Sequence, residues 1–411
     1  MGPGSFQRTP VASPTGHACP LEETEARLRG LLHKVPITRV FDATSLDVLG
    51  LPVWCAVTPL ALDLTVHAGK GMTATASRIS AVMEAIERTS AETLAADRVV
   101  TETYHRLSAN AADRLVLDPR SFDLPFDSKY HADRELRWVL GYDLITGDHA
   151  FVPRDLVVSP ATDGICRLVE TNGLAAGNCY TEATLHATYE VIERHVVSVA
   201  RFYDLHHDPA TSPSWPVRMI DASTLPARTA GWAERIRNSG CDLVVRDVTS
   251  EIEVSVMAAF VVDESFPGAE CEAVAFGGYG ADVDPAKALF RAVTEAVQSH
   301  TGTVLGARDA FEGERATSDR AAALARHVAV LYPDLPVPLP ESPTSSRDLH
   351  QELWDVVGRL RATGFEHCVV VDLAREDLGV PVVRVLVPGL APPYGESTRR
   401  PSPRLLRRIV G

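Results

Sequence analysis

Apolar residues recur along the chain with two periods, one typical of helices and one typical of strands. Helical spacing predicts five main helices, at residues 21–33, 73–96, 181–202, 285–304 and 349–363. Strand-like runs are predicted at 38–40, 52–57, 63–67, 136–142, 242–262, 368–373 and 381–388. Because strands precede helices at several points along the chain, the pattern favours an α+β fold of layered helices and sheets.

Three of the predicted helices carry a polar triplet at the same spacing. The members follow one another at steps of four and then three residues, which places them on one helical face. The triplets, about 105 residues apart, are Ser80, Glu84 and Glu87, then His186, Glu190 and Glu193, and then Arg291, Glu295 and Gln298. Together with the matching segments EAIER and EVIER, this spacing predicts an internal quasi-repeat of strand–loop–helix units.

Carboxylates at matching positions on several helices are costly to bring together unless a cation binds them. Mg²⁺ prefers oxygen ligands and itself binds phosphate oxygens, so it would link an acidic cluster to a phosphate-containing ligand. On the second helix, Glu182 shares the acidic face and Arg194 lies at its edge. We therefore predict a magnesium site formed by Glu84, Glu87, Glu190, Glu193 and Glu295. For any one helix alone, a solvated acidic face with Glu–Arg pairs remains the alternative.

Several further residues are candidates for binding a phosphate or moving a proton. Lys70 is one of only four lysines and lies between two glycines before the first acidic helix, where backbone N–H groups could approach a phosphate. Asn172-Gly173 and Gly177-Asn178 could do the same before the second helix, and Arg308 could clamp phosphate oxygens after the third. The alternatives are ordinary turns and a helix-terminal ion pair. The remaining candidates are the acid/base or nucleophilic groups His186, His195, His300 and Cys179, each of which could equally be structural.

Composition limits the class of protein. The chain has 411 residues, 45% hydrophobic content and a net charge of −14, which argues against nonspecific nucleic-acid binding. Seven scattered cysteines with no CxxC pair argue against a disulfide framework and a structural zinc site, and favour a cytoplasmic location. No apolar run approaches the roughly 18 residues of a membrane span. Residues 1–20 are predicted to be a disordered tail that begins with an expression remnant, and residues 396–411 a C-terminal tail.

At these acidic helices and beyond them, over about residues 30–390, the chain resembles the YcaO family. The segments that carry the resemblance are GKGMTATASRISAVMEAIER, TNGLAAGNCYTEATLHATYEVIER and AKALFRAVTEAVQSHTGTVLGARD, with DLAREDLGVPVVRVLVPGL near the end. The resemblance implies a YcaO catalytic domain at 21–395 that uses ATP and Mg²⁺ to activate a backbone amide of a peptide. It places nucleotide-site motifs at Ser80, Glu84 and Glu87, at Asn172, Glu182, Glu190, Glu193 and Arg194, and at Glu295, Gln298 and Arg308. It also implies that the glutamates hold Mg²⁺ while basic groups such as Lys70 balance charge.

The sequence departs from the family pattern at three places. Glu193-Arg194-His195 stands where ERD is usual, Gln298-Ser299-His300 stands where QSR is common, and the tail holds one PxP unit rather than PxPxP. We expect cyclodehydration of a ribosomally made precursor peptide to an azoline, amidine or macroamidine, with His195, His186 or a tail group as general base. The alternatives are thioamide formation with a TfuA-like partner protein and a non-catalytic, peptide-binding pseudoenzyme. A peptide-recognition partner and a homodimer are both compatible with the sequence.

Overall fold

The computed structural model describes residues 1–6, 16–111, 114–122, 124–125, 127–166, 171–206, 217–265, 275–306, 335–343 and 348–391. Arg308 and the predicted tail at 396–411 lie outside these residues. The proposed boundaries of the tails and of the catalytic domain therefore stay predictions. In the described part of the N-terminal segment, Phe6 is buried, with its ring centroid 6.2 Å from that of Tyr142 and its ring edge-on to Trp354.

The described part of the chain contains seven α-helices. They are α1 (Leu21–Leu31), α2 (Ala74–Ser90), α3 (Tyr104–Asn110), α4 (Tyr180–His206), α5 (Ala227–Asn238), α6 (Pro285–Val304) and α7 (Leu349–Ala362). Helix α6 has its predicted bounds because the Asp284 side chain caps it, accepting a hydrogen bond from the Ala286 N–H at 2.9 Å. Helix α2 ends at Ser90 rather than at Ala96, since the Ala91 carbonyl accepts the Ser159 N–H at 3.0 Å. None of these described helices is long and apolar enough to cross a bilayer.

The strands form three separate sheets. They are β1 (Arg39–Asp42), β2 (Val53–Val57), β3 (Val66–Lys70), β4 (Val99–Thr103), β5 (Leu115–Val116), β6 (Glu135–Asp143), β7 (His149–Pro153), β8 (Leu174–Ala176), β9 (Arg218–Met219), β10 (Asp242–Asp247), β11 (Ser255–Val262), β12 (Ala275–Asp282), β13 (Val369–Asp372) and β14 (Val382–Leu386). The sheet orders are β1-β2-β3, β12-β11-β10-β9 and β5-β7-β6-β13-β14-β8, with β4 also on β6. The named strands pair antiparallel except for β5 and β7. This confirms the α+β class. The quasi-repeat stays a prediction.

Strand β3 corrects one part of the sequence interpretation. The predicted strand was 63–67, whereas β3 covers Val66–Lys70, so Gly69 and Lys70 belong to a strand and not to a phosphate-binding turn. A Cβ atom on Gly69 would lie 2.1 Å from the backbone of Ser77 and Ala81 on α2. Gly69 is therefore explained by the close approach of a strand and a helix.

The three acidic helices are neighbours because they share strands. Helix α2 packs on β2 and β3, α6 packs on β11 and β12, and α4 packs on β14 and β12. Strand β3 contacts both α2 and α6, and β8 contacts both α2 and α4. The apolar faces of α6 and α4 lie in the buried core, as Leu289 and Val293 on α6 and Ile192 on α4 show. Their polar faces are left to meet around β3 and β8.

Strand β12 approaches α6 closely enough to require glycine. Gly278 belongs to the FGGYG segment, which lies in β12. A Cβ on Gly278 would lie 2.1 Å from the Ala296 nitrogen and 2.3 Å from the Ala292 oxygen. Backbone atoms cannot rotate away, so the strand and the helix would have to separate.

We expect Gly278→Ala to lower the free energy of unfolding by about 2–3 kcal/mol, the cost of overpacking a core. The matched control is Gly231→Ala in α5, where no atom lies within 4 Å of the added Cβ. That change should stabilise the protein by about 0.4–1 kcal/mol, because alanine restricts the unfolded chain. Urea unfolding of both variants measures the difference. Equal effects on unfolding would contradict the packing described for β12 and α6.

Candidate nucleotide and magnesium site

Strand β3 joins the first acidic helix to the third. The Lys70 ammonium forms an ion pair with the Glu295 carboxylate of α6, and the Lys70 N–H donates to Ser80 Oγ of α2 at 3.4 Å. Gln298 Nε2, one turn further along α6, donates to the Ala68 carbonyl at 2.5 Å. Strand β3 therefore brings Lys70, Ser80, Glu295 and Gln298 together.

Strand β8 joins the first acidic helix to the second. Glu87 Oε2 of α2 accepts the Ala176 N–H at 3.0 Å, and Glu190 Oε1 of α4 accepts the Gly173 N–H at 3.3 Å. Burial, together with the charges of Glu190 and Glu84, raises the pKa of Glu87 well above its usual value. Burial also raises the pKa of Glu190, against the opposing charges of Arg194 and Arg384. The charges of Glu84 and Glu190 therefore act on Glu87.

Glu193, on α4, links the glutamates of α2 and α4 to Glu295 of the third acidic helix, α6. Burial and the charge of Glu295 raise the pKa of Glu193 to about 7. The Arg194 guanidinium lies 4.0 Å from the Glu193 carboxylate. Although burial opposes the shift, Glu190, Glu193 and Glu295 raise the pKa of Arg194. The carboxylates predicted from α4 and α6 therefore influence one another electrostatically, and the Arg194 charge acts on both.

Two other predicted residues, Glu84 and Asn172, lie next to these glutamates. Glu84 lies 3.8 Å from Arg88, which also pairs with Asp63 at 3.0 Å. Asn172 directly precedes Gly173, the N–H donor to Glu190. Glu84 is thus held next to the glutamates, while Asn172 lies on the segment that leads into β8.

Glu182 binds the N-terminal segment. Its carboxylate accepts the Ala18 N–H at 2.9 Å, lies 3.0 Å from the His17 ring and accepts the Asn178 amide at 3.2 Å. These hydrogen bonds and the nearby His17 lower the pKa of Glu182, although burial opposes the shift. Both carboxylate oxygens are therefore engaged by residues 17–18 and Asn178 in this structure. No sequence signal pointed to residues 17–18 as a partner of α4.

The two histidines predicted as proton carriers lie in different surroundings. The exposed His186 ring lies 2.8 Å from the Arg291 guanidinium. His195 is buried, accepts the Ala391 N–H at 2.9 Å and packs edge-on against Phe365. His186 thus lies beside Arg291 of α6, whereas His195 contacts Phe365, which lies between α7 and β13, and Ala391, which follows β14.

Sequence reasoning missed one cation. Arg384 in β14 is fully buried, donates to the Leu156 carbonyl at 3.0 Å and offsets the charge of Glu190. An arginine in the middle of the apolar run VPVVRVLVPG was the available signal, because a buried charge requires partners.

The residues at this site fit a magnesium–nucleotide complex. The side chains of Lys70, Glu84 and Glu295 keep 28%, 26% and 23% of their surface exposed, so the cluster faces solvent. Burial raises the pKa values of Glu87, Glu190 and Glu193, and the charges of neighbouring carboxylates add to each of these shifts. A divalent cation with oxygen ligands would offset these negative charges, and Lys70 and Arg194 would face the phosphates that the cation binds.

Comparison with known proteins decides the family. A family model described as "YcaO cyclodehydratase, ATP- and Mg²⁺-binding" matches residues 68–391. The chain belongs to the YcaO family. This finding confirms the resemblance and the prediction of ATP and Mg²⁺ as cofactors.

Two relatives match the YcaO chain over nearly its full length. An uncharacterized protein of Methanothermobacter thermautotrophicus is 34% identical over 371 residues, which cover 87% of this chain and 91% of that protein. An uncharacterized protein of Rhizobium leguminosarum bv. trifolii, named by its position in the tfuA 3′ region, is 33% identical over 391 residues, with coverages of 90% and 87%.

Solved structures agree with this assignment. YcaO from Methanopyrus kandleri, bound with AMPPCP and Mg²⁺, has a TM-score of 0.71 and 25% identity, covering 93% of this chain and 95% of that one. A heterocyclase solved in complex with substrate and cofactor has a TM-score of 0.75 at 20% identity. This match covers 97% of the YcaO chain but only 59% of the heterocyclase, and it bears on the fold alone.

Proposed function

We propose that this YcaO protein uses ATP and Mg²⁺ to phosphorylate the oxygen of a backbone amide in a ribosomally made precursor peptide. The observation that carries the proposal is the convergence of glutamates from α2, α4 and α6 with Lys70 and Arg194. Five carboxylates in one region suit the binding of metal ions that bridge to a triphosphate, whereas a peptide alone would not require them.

Each residue has a proposed role. Glu84, Glu87, Glu190, Glu193 and Glu295 hold the metal, and Ser80, Asn172, Glu182 and Gln298 belong to the nucleotide site. Lys70 and Arg194 offset charge on the phosphates, with Arg308 proposed to assist them. When bound, ATP supplies the phosphoryl group that converts the amide oxygen into a leaving group. His186 and His195 are the proposed proton carriers.

Glu182 imposes a condition on this assignment. Its oxygens are engaged by His17, Ala18 and Asn178, so any contact with nucleotide requires these hydrogen bonds to be exchanged. The lowered pKa of Glu182 keeps the carboxylate charged and able to accept other donors.

The incoming nucleophile determines the product. A peptide thiol, hydroxyl or amine would give an azoline, amidine or macroamidine, with overall loss of one water molecule. Thioamide formation with a TfuA-like partner is a second candidate, because one relative at 33% identity is named by its position in the tfuA 3′ region. In that case sulfur replaces oxygen and the peptide gains mass.

The oxygen balance supplies the test. In the proposed reaction the amide oxygen leaves with phosphate, because the bond broken is the one between the amide carbon and that oxygen. We expect a precursor peptide carrying ¹⁸O in the reacting carbonyl to yield ¹⁸O-labelled phosphate, in step with product. The measurements are mass spectrometry of peptide and phosphate, with AMPPCP as the control that gives neither.

The outcomes separate the candidate functions. Loss of water supports cyclodehydration, and exchange of oxygen for sulfur in the presence of the partner supports thioamidation. Phosphate that acquires its oxygen only from solvent, with the peptide unchanged, would refute amide activation. Absence of Mg²⁺-dependent ATP binding would support a non-catalytic, peptide-binding role.

A further inference from the structure

A second cluster of potential metal ligands lies outside the glutamate set. Cys241 lies between α5 and β10, Asp263 directly follows β11, and His300 lies in the last turns of α6. One ligand atom from each lies within 4.8 Å of the other two, and all three residues are buried. Among the described residues, this is the one group of three such side chains gathered so tightly.

The histidine of this cluster is oriented by a carboxylate. His300 Nδ1 lies 2.9 Å from Asp47 Oδ2, and that oxygen also accepts the Thr301 hydroxyl at 2.5 Å. The other Asp47 oxygen accepts the Leu49 N–H at 3.0 Å, which fixes the carboxylate. A histidine that donates Nδ1–H to a carboxylate presents Nε2 as its metal-binding atom, an arrangement common around bound metals.

Asp263 is oriented in the same way. Its Oδ1 accepts the Ser265 N–H at 2.9 Å and the Ser265 hydroxyl at 2.8 Å. Its Oδ2 lies 3.2 Å from His300 Nε2. One oxygen of the carboxylate is therefore anchored by its own loop while the other faces the imidazole nitrogen, so both potential ligands point to one place.

We infer that Cys241 Sγ, Asp263 Oδ2 and His300 Nε2 bind a zinc ion, with Asp47 as the carboxylate that orients His300. A thiolate, an imidazole and a carboxylate are ligands that zinc accepts and magnesium does not favour. Ligand atoms of tetrahedral zinc lie about 3.4–3.6 Å apart. Asp263 Oδ2 and His300 Nε2, at 3.2 Å, would have to separate slightly, and Cys241 Sγ, within 4.8 Å of both, would have to lie at about that ligand distance. The fourth position would hold water.

Charge balance supports the inference. A thiolate and a carboxylate each carry one negative charge, so Cys241 and Asp263 as ligands would offset the two positive charges of zinc. The ion would connect the end of α6 to the β10–β11 sheet and, through Asp47, to the connection between β1 and β2. Because α6 also carries Glu295 and Gln298, the zinc site would anchor the helix that supplies the third acidic set.

Cobalt substitution provides the test. We expect one equivalent of Co²⁺, added to metal-free full-length protein, to give the charge-transfer band of a sulfur–cobalt bond, and one equivalent of Zn²⁺ to abolish it. Carboxylates of the magnesium site contain no sulfur and cannot produce this band. Cys241→Ser should lose the band, whereas Cys55→Ser, which removes another buried thiol, should retain it.

Folding and thermal stability provide two further checks of the zinc site. Circular dichroism checks that Cys241→Ser is folded, and if it is not, Asp263→Asn should weaken cobalt binding about tenfold or more. Zinc alone should raise the melting temperature of the wild type by several degrees, because it binds only the folded form. Absence of a thiolate band in the wild type, or its persistence in folded Cys241→Ser, would show a metal-free ion-pair network and overturn the zinc site.

Discussion

Glu190→Gln is expected to reduce ATP turnover about 10²-fold or more while leaving the protein folded. Glutamine keeps the shape of the side chain and can still accept the Gly173 N–H that now bonds to Glu190 at 3.3 Å. What it removes is one negative charge from the group formed with Glu87, Glu193 and Glu295. The loss should fall on steps in which charge moves on the transferring phosphoryl group, because those steps depend most on a correctly held metal.

Stability separates a lost ligand from a damaged fold. Burial raises the pKa of Glu190, which means that its negative charge destabilises the folded protein. Removing this charge should therefore leave the nucleotide-free protein at least as stable as the wild type. The matched control is Glu234→Gln, the same substitution at an exposed position on α5, which should leave turnover unchanged. Steady-state kinetics at saturating Mg²⁺ and urea unfolding provide the two readouts. Wild-type turnover in Glu190→Gln would remove this residue from the site.

Glu193→Gln is expected to stabilise the free protein at pH 8 by up to about 3 kcal/mol, and progressively less as the pH falls towards 5. The folded-state pKa of Glu193 is raised from 4.5 to about 7, so between these values the folded state binds more protons than the unfolded state. Stability of the wild type therefore falls as the pH rises through this window. Glutamine does not titrate, so the variant lacks the contribution of Glu193 to this loss of stability. The contributions of Glu87 and Glu190 remain.

Urea unfolding at several pH values, in the presence of a chelator, measures this difference. Mg²⁺ with AMPPCP should restore stability to the wild type at pH 8 and restore less to Glu193→Gln, because the charge that binds the ion is absent. The proposal would be contradicted if the difference in unfolding free energy between the two proteins did not change with pH, or if Glu193→Gln were the less stable at pH 8. Either result would mean that the Glu193 charge is not disfavoured in the folded protein.

Local chemistry made several elements predictable from sequence. Asp284 followed by Pro285 fixed the start of α6, because both the cap and the proline act within one turn. The spacing of Glu84, Glu87, Glu190 and Glu193 gave the acidic faces, since helical periodicity depends only on neighbours in sequence. The fold class followed from the same patterns.

Long-range packing determined what the sequence did not reveal. From sequence alone, Gly69 was interpreted as a turn residue. The structure shows that a side chain at this position would collide with the backbone of α2, a contact that no local sequence pattern indicates. The contact of His17 and Ala18 with Glu182 joins positions some 165 residues apart. Cys241, Asp263 and His300 likewise lie on separate elements, so the spacing of the cysteines in the sequence did not indicate that folding brings these three side chains together.

A crystal structure grown with AMPPCP and Mn²⁺ tests the central claim most directly, since manganese replaces magnesium at oxygen sites and is located by its anomalous signal. The account predicts anomalous peaks about 2.0–2.3 Å from carboxylate oxygens of α2, α4 and α6, with Lys70 and Arg194 against the phosphates. Absence of any peak at these carboxylates, or a nucleotide bound with Glu84, Glu190 and Glu295 facing away from it, would contradict the claim.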